Sequence, residues 1–150
     1  MRIAFIAVLG VFMLGQFGCG PAGRALPEGA MAVVPAAGTL LYNGEPVPEA
    51  IVVFTPVDAA SNFPGGSART NMEGRFVLQA YPTYDGAVPG DYIVSAIKTQ
   101  LIELQTTDPD ADKTMAKSLL PDKYFSSKTS DLRATIGPDG NEDLLIEMHD

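Results

Sequence analysis

Apolar positions along this chain fall into short bursts separated by glycine, proline and asparagine, and few recur at helical spacing. Residues 38–42 predict a first strand, ended by Asn43-Gly44, a dipeptide suited to a tight hairpin turn. Residues 50–55, dominated by Ile51, Val52, Val53 and Phe54, make the clearest strand, and Pro56 ends it because proline cannot donate to a ladder. Residues 67–70 and 75–80 predict a hairpin about a turn at 71–74, where Gly74 supplies the positive φ. A long loop follows over 81–90, then a strand over 91–98 with Tyr92, Val94 and Ala96 on one face. Residues 114–120 suggest one or two helical turns, and 120–125 a segment packed on the edge of the domain. Residues 132–136 and 144–148, about the turn residues 137–141, predict a terminal hairpin. About seven short strands at this spacing predict an all-β fold, an antiparallel immunoglobulin-like sandwich with one short helical insertion. Its core is expected to take Leu40, Ile51, Val53, Phe76, Leu78, Tyr92, Val94, Ile136 and Leu145 or their neighbours, since a one-residue slip reverses the face of a strand.

The first burst is different. Met1-Arg2 carries a positive charge, residues 3–14 are uncharged and apolar, and Gly15-Gln16-Phe17-Gly18 leads to Cys19, the only cysteine. That is the order of a secretory signal peptide, and the run falls short of the roughly 20 apolar residues a spanning helix needs. The segment Leu14-Gly15-Gln16-Phe17-Gly18-Cys19 resembles the lipobox of bacterial lipoproteins, with Gln16 standing where that motif usually has leucine. The resemblance implies cleavage before Cys19 and lipid attachment there, by fatty acyl chains such as palmitate. An uncleaved anchor and ordinary secretion are the alternatives. The expected organisation is a signal peptide over 1–18, a flexible Gly-, Pro- and Ala-rich tether over 19–35 and a domain over 36–150. The expected location is the cell envelope, on the inner or outer membrane; Gly20 in place of aspartate gives no match to the usual inner-membrane retention signal.

Composition narrows the partners. A net charge of −8, with no local cluster of Lys and Arg, opposes binding to nucleic acid and to anionic membrane surfaces, so membrane attachment is expected to come from lipid. Twelve prolines and fifteen glycines favour short elements over a helical bundle.

Candidate chemistry is sparse. The sole histidine, His149, lies near the end of the sequence, and the sole thiol is the expected lipid site, so no nucleophile–base pair emerges and the chain is expected not to be an enzyme and to need no cofactor. Asp108, Asp110 and Asp112 begin with the spacing of a calcium loop, but Lys113 stands where that loop needs glycine and Leu119 where it needs glutamate. They read as a solvated acidic loop, with a bound cation as the alternative. Tyr81 and Tyr84 flank Pro82 and offer rings that stack on a sugar or peptide, or cover a sheet edge. The leading expectation is a membrane-anchored envelope lipoprotein with a structural or protein-interaction role. The alternative is a module binding a carbohydrate, a peptide or a metal ion through the loops 81–90 or 108–112.

The opening of the domain, Gly38-Thr39-Leu40-Leu41-Tyr42-Asn43-Gly44-Glu45-Pro46-Val47-Pro48-Glu49-Ala50-Ile51-Val52-Val53-Phe54, resembles that of carboxypeptidase regulatory-like domains. Glu49 stands where their pattern has glycine. Asn71-Met72-Glu73-Gly74-Arg75-Phe76 and Gly90-Asp91-Tyr92-Ile93-Val94 match the turn and strand that follow in that pattern. Residues 36–148 are also similar to a group of small bacterial lipoproteins carrying this domain, through residues 85–92, Leu120-Pro121-Asp122-Lys123-Tyr124 and Thr129-Ser130-Asp131-Leu132. The resemblance implies a transthyretin-like sandwich and no particular activity. The early histidine and terminal Tyr-Arg-Gly-Ser motif of transthyretin-like purine hydrolases are missing. No lysine precedes Lys98, which excludes the lysine–asparagine crosslink of pilin-like sandwiches.

Overall fold

The structure, a computed structural model, describes residues 26–58, 63–103 and 114–150. The expected signal peptide, Cys19 and the trio Asp108, Asp110 and Asp112 lie outside them. Twelve strands follow in chain order: β1 (Ala36–Tyr42), β2 (Glu45–Pro46), β3 (Ile51–Pro56), β4 (Gly66–Arg69), β5 (Arg75–Val77), β6 (Gln79–Tyr81), β7 (Tyr84–Asp85), β8 (Gly90–Ile97), β9 (Thr99–Glu103), β10 (Thr114–Ser118), β11 (Arg133–Ile136) and β12 (Asn141–Met148). Among the described residues the only helical element is one 3-10 turn, Asp122–Tyr124. The fold is all-β.

The larger sheet runs β11-β8-β3-β4-β6-β7 and is antiparallel throughout. The smaller runs β12-β1-β2, with β5 also on β1. β1 and β12 are parallel, unlike every other pair. The two sheets share one core. Leu40, Phe76 and Ile146 from the smaller sheet meet Val52, Phe54, Tyr92 and Val94 from the larger. Phe54 is the centre of this core, with ring centroids 6.0 Å from Phe76 and 5.8 Å from Tyr92. Burying each such side chain contributes about 1.5–3 kcal/mol.

Turn chemistry follows from the sequence. Asn43 and Gly44 both take positive φ, 51° and 83°, as the mirror-image hairpin turn requires. Gly38 serves another purpose: a Cβ there would stand 2.3 Å from the Leu144 carbonyl oxygen, so its bareness lets β12 lie against β1.

The hairpin expected over 67–80 divides between the sheets. Arg75 pairs with Thr39 on β1, whereas Gln79 pairs with Ser67 on β4. Leu78, fully buried, marks the crossing; its N–H donates to the Ala36 carbonyl at 2.8 Å and its carbonyl accepts from the Gly86 N–H at 2.6 Å. The expected terminal hairpin likewise does not form: β11 pairs with β8 and β12 with β1, so the chain changes sheets through residues 137–140. The helical turns expected over 114–120 are replaced by β10, which pairs along its length with β9 as a two-stranded ribbon, Met115 opposite Ile102 and Ala116 opposite Leu101. Ladder pairing outweighs a weak local helical preference.

Two faces are reversed. Val52 and Phe54 point inward, while Ile51 is 46% exposed; Leu144 and Ile146 point inward, while Leu145 is 63% exposed. Both runs are apolar at successive positions, so period-2 alternation carries no signal there, and strand pairing decides the face. Leu40, Phe76, Leu78, Tyr92, Val94 and Ile136 are buried as expected.

Candidate functional site

The division of the 67–80 hairpin leaves a cleft. β5 departs to the smaller sheet, so β4 pairs with β6 only at Ser67, and beyond it a gap without a ladder separates it from the nearby β5. The gap is a groove of about 480 Å³ with Ala68 and Phe76 among its lining residues. Arg69 stands on its larger-sheet side and Arg75 on its smaller-sheet side, because each neighbours an inward-facing residue, Ala68 or Phe76, in an alternating strand. The Arg69 guanidinium lies 3.9 Å from the Glu49 carboxylate, an exposed pair. Among the described residues the Arg75 guanidinium has no carboxylate within bridging distance. Asp85 also lines the cleft, and its carboxylate accepts from Gln79 Nε2 at 2.9 Å. Asn71 shapes the turn beneath, its Oδ1 accepting from the N–H groups of Glu73 and Arg75 at 2.9 Å each. The cleft is therefore of mixed charge: Asp85 and the Glu49 partner of Arg69 offset its two arginines, Phe76 is buried beneath, and Asn71 takes both backbone groups of Arg75.

A second groove, about 470 Å³, runs over the edge of the larger sheet between Thr55, Gly66, Ser67 and Tyr81. The loop expected over 81–90 is partly the tight β6–β7 hairpin, in which Tyr81 pairs directly with Tyr84. The Tyr81 hydroxyl accepts from the Met31 N–H at 3.0 Å. Val34 pairs with Ala87 through two backbone hydrogen bonds, 2.9 and 3.0 Å, so the residues just before β1 lie on the body.

His149 sits on the outside. Its backbone N–H donates to the Tyr124 hydroxyl and its carbonyl accepts from that hydroxyl, both at 3.0 Å. Its Nε2 is 4.0 Å from Glu147. Tyr124 is thus a clasp on the end of β12. Ser130 acts similarly on β8, donating to the Val94 carbonyl at 2.5 Å. The segments over 120–124 and 129–132 thus hold strands in place.

Two further clasps were not legible as functional positions. Buried Thr70 donates through Oγ1 to the Val47 carbonyl at 2.7 Å and accepts from the Ala50 N–H at 2.8 Å. It thereby fixes the loop in which Glu49 takes φ 56°. Tyr42 donates to Asp150 Oδ1, and Asn43 Nδ2 to Oδ2 at 3.0 Å. The Tyr42 hydroxyl, then Asn43, holds the Asp150 carboxyl below its ordinary range, and Asp150 in turn raises Tyr42. Burial pushes the Tyr92 phenol up to about 12, and its hydroxyl donates to the Val88 carbonyl at 2.5 Å. Among the described residues no group of three His, Cys, Asp or Glu side chains is placed to hold a metal ion. None of their helices is long and apolar enough to cross a membrane.

No protein-family model matches the chain. No curated protein matches it either. Among solved structures, the chain is similar to a 9R-lipoxygenase from Cyanothece PCC8801 at 15% identity and a TM-score of 0.36. The match covers 83% of this chain and 18% of the lipoxygenase chain. The sequence expectation that the protein is not an enzyme is corrected on this finding, since the matched structure is an enzyme's. A likeness at that level brings no activity to this chain, and the exclusion is withdrawn.

Proposed function

We propose that this protein is a lipid-anchored component of the bacterial cell envelope, attached through Cys19, whose β body makes protein contacts. The observation that carries the reading is the order of residues 1–19: a basic start, an apolar run too short to span and a sole cysteine at its end, followed by an all-β domain. More than one acyl chain at Cys19 supplies the firm hold that a single chain lacks. The finer architecture in this proposal is the transthyretin-like sandwich of carboxypeptidase regulatory-like domains. It is supported by the Asn43-Gly44 turn, by Gly74 at φ 73° and by the left-handed backbone at Glu49, where the pattern has glycine. Labelling cells with a palmitate analogue tests the anchor. Incorporation and membrane partition are expected for the native chain and lost in Cys19→Ala; an unlabelled native chain defeats the reading.

A second reading, capture of a carbohydrate, is favoured by the neutral lining of the groove at Thr55, Ser67 and Tyr81. Calorimetry against a glycan panel tests it, with the heat expected to vanish in Tyr81→Ala; no heat from any glycan removes it.

A further inference from the structure

We infer that the outer edge of β12 binds an extended peptide segment carrying basic residues on either side of an apolar one. The proposal rests on the protein-contact reading above and names the site and the partner's chemistry. β12 ends the smaller sheet, with β1 on one side and, among the described residues, no strand on the other. The Asn43 N–H donates to the Met148 carbonyl, so Leu144, Ile146 and Met148 turn their backbone groups toward β1. Leu145 and Glu147, one residue out of step, turn theirs away, and among the described residues nothing takes them. Both ends of this edge are closed from within the chain. The Asp143 N–H donates to Asn141 Oδ1 at 3.0 Å, and the Tyr124 hydroxyl takes both backbone groups of His149. A window about Leu145 stays open. An extended chain pairs with such a window through its backbone and is selected by its alternate side chains.

Charge chooses the occupant. Asp143, Leu145 and Glu147 are exposed on one face of β12, and no Lys or Arg lies between 141 and 150. The His149 imidazole reaches the Glu147 carboxylate only at 4.0 Å and leaves it open to a cation. A second copy pairing antiparallel about Leu145 sets Asp143 opposite Glu147 at both ends of the window, and like charges directly opposite destabilise a ladder. A partner with Lys or Arg at those two places turns both repulsions into attractions. A β-branched residue between them covers Leu145, which is 63% exposed.

The test uses the full chain and synthetic pentapeptides capped at both ends. The probe is Lys-Thr-Val-Thr-Lys. Its controls are Glu-Thr-Val-Thr-Glu, the probe N-methylated at valine and the probe N-methylated at its first threonine. In antiparallel register the valine N–H faces β12 and the threonine N–H faces water, so only the first methyl group blocks pairing. Backbone amide shifts centred on residues 143–147 are expected with the probe and its threonine-methylated form, and with neither other peptide. Asp143→Asn with Glu147→Gln, both exposed, is expected to weaken binding about fivefold, the scale of two opposite-charge cross-strand pairs. Leu145→Pro is expected to abolish it, since that N–H makes no bond to β1 and its loss spares the ladder. Circular dichroism and a thermal melt confirm that the variants remain folded; if the proline variant does not, the two methylated peptides draw the same distinction on the native chain. Absence of shifts with the probe overturns the proposal, and equal binding of the valine-methylated peptide overturns it in favour of a simple cation-attracting patch. So do unchanged affinity in the acidic double variant, shifts centred elsewhere, or concentration-dependent shifts at 143–147 without peptide, the mark of pairing between copies of this chain. These outcomes leave palmitate labelling at Cys19 unaffected, so failure here is distinct from failure of the anchor.

Discussion

Strands β8 and β9 are separated only by Lys98, yet they belong to different physical regimes. β8 lies between β3 and β11, with Tyr92, Val94, Ser95 and Ala96 all buried. Among the described residues β9 has only β10 paired with it, and Leu101 on it is 72% exposed. The larger sheet is held by packing, with Val52, Phe54, Tyr92 and Val94 covered by the sheet opposite. The ribbon is held by its ladder and by its foot, where the Leu119 N–H donates to the Lys98 carbonyl at 2.8 Å and Leu120 enters the core. A two-stranded ribbon alone is marginal in water. Strand pairing sets local shape in both places, but only burial against a second layer gives that shape a large share of the stability.

This contrast is broken most directly at its strong end. Phe54→Ala is expected to cost about 3–5 kcal/mol, a large part of a domain's total stability, and to shift the whole denaturant transition. A transition moved by less than about 1 kcal/mol means that the sheets are not held by this core. Glu49→Gly is expected to stabilise by about 1 kcal/mol, because the left-handed backbone at φ 56° suits glycine and the Arg69 pair it removes is exposed. Thermal melts read the gain. On the ribbon, Leu101→Ser is expected to change stability by no more than about 0.5 kcal/mol, since its side chain meets mostly water. Hydrogen exchange sharpens the point: β8 amides are expected to open only with global unfolding, β9 amides well below it. The smallest effect concerns the end of β12. Asp150 is held below its ordinary range, so its contribution is present above its unfolded value and is lost as pH falls through the folded one. Nuclear magnetic resonance titration of Asp150 is expected to show the depressed value, and Tyr42→Phe to raise it toward normal.

Local signals made much of the fold legible. The β-branched run at Ile51, Val52 and Val53, the alternation about Tyr92 and Val94, and the Asn43-Gly44 turn each declare themselves within a few residues. Partnership did not. Nothing near Leu78 announces that the chain changes sheets there, because its two neighbouring strands are defined by Ala37 and Ser67, residues distant in the sequence. The same holds for β12, whose partner is the first strand. The cleft with Arg69 and Arg75 was illegible for that reason: it exists only because an expected hairpin is divided. The expectation of lipid at Cys19 and the cation alternative at the acidic trio rest on sequence order and spacing alone. The value of Thr70 was hidden, since a hydroxyl bridging two backbone groups across a loop has no sequence signature.

The pairing of β1 with β12 has a consequence for timing. A small sheet whose first strand waits for its last cannot close until residue 148 has been made, and contacts that remote slow closure further. The nascent polypeptide therefore stays unfinished, and threadable, until β12 has been made.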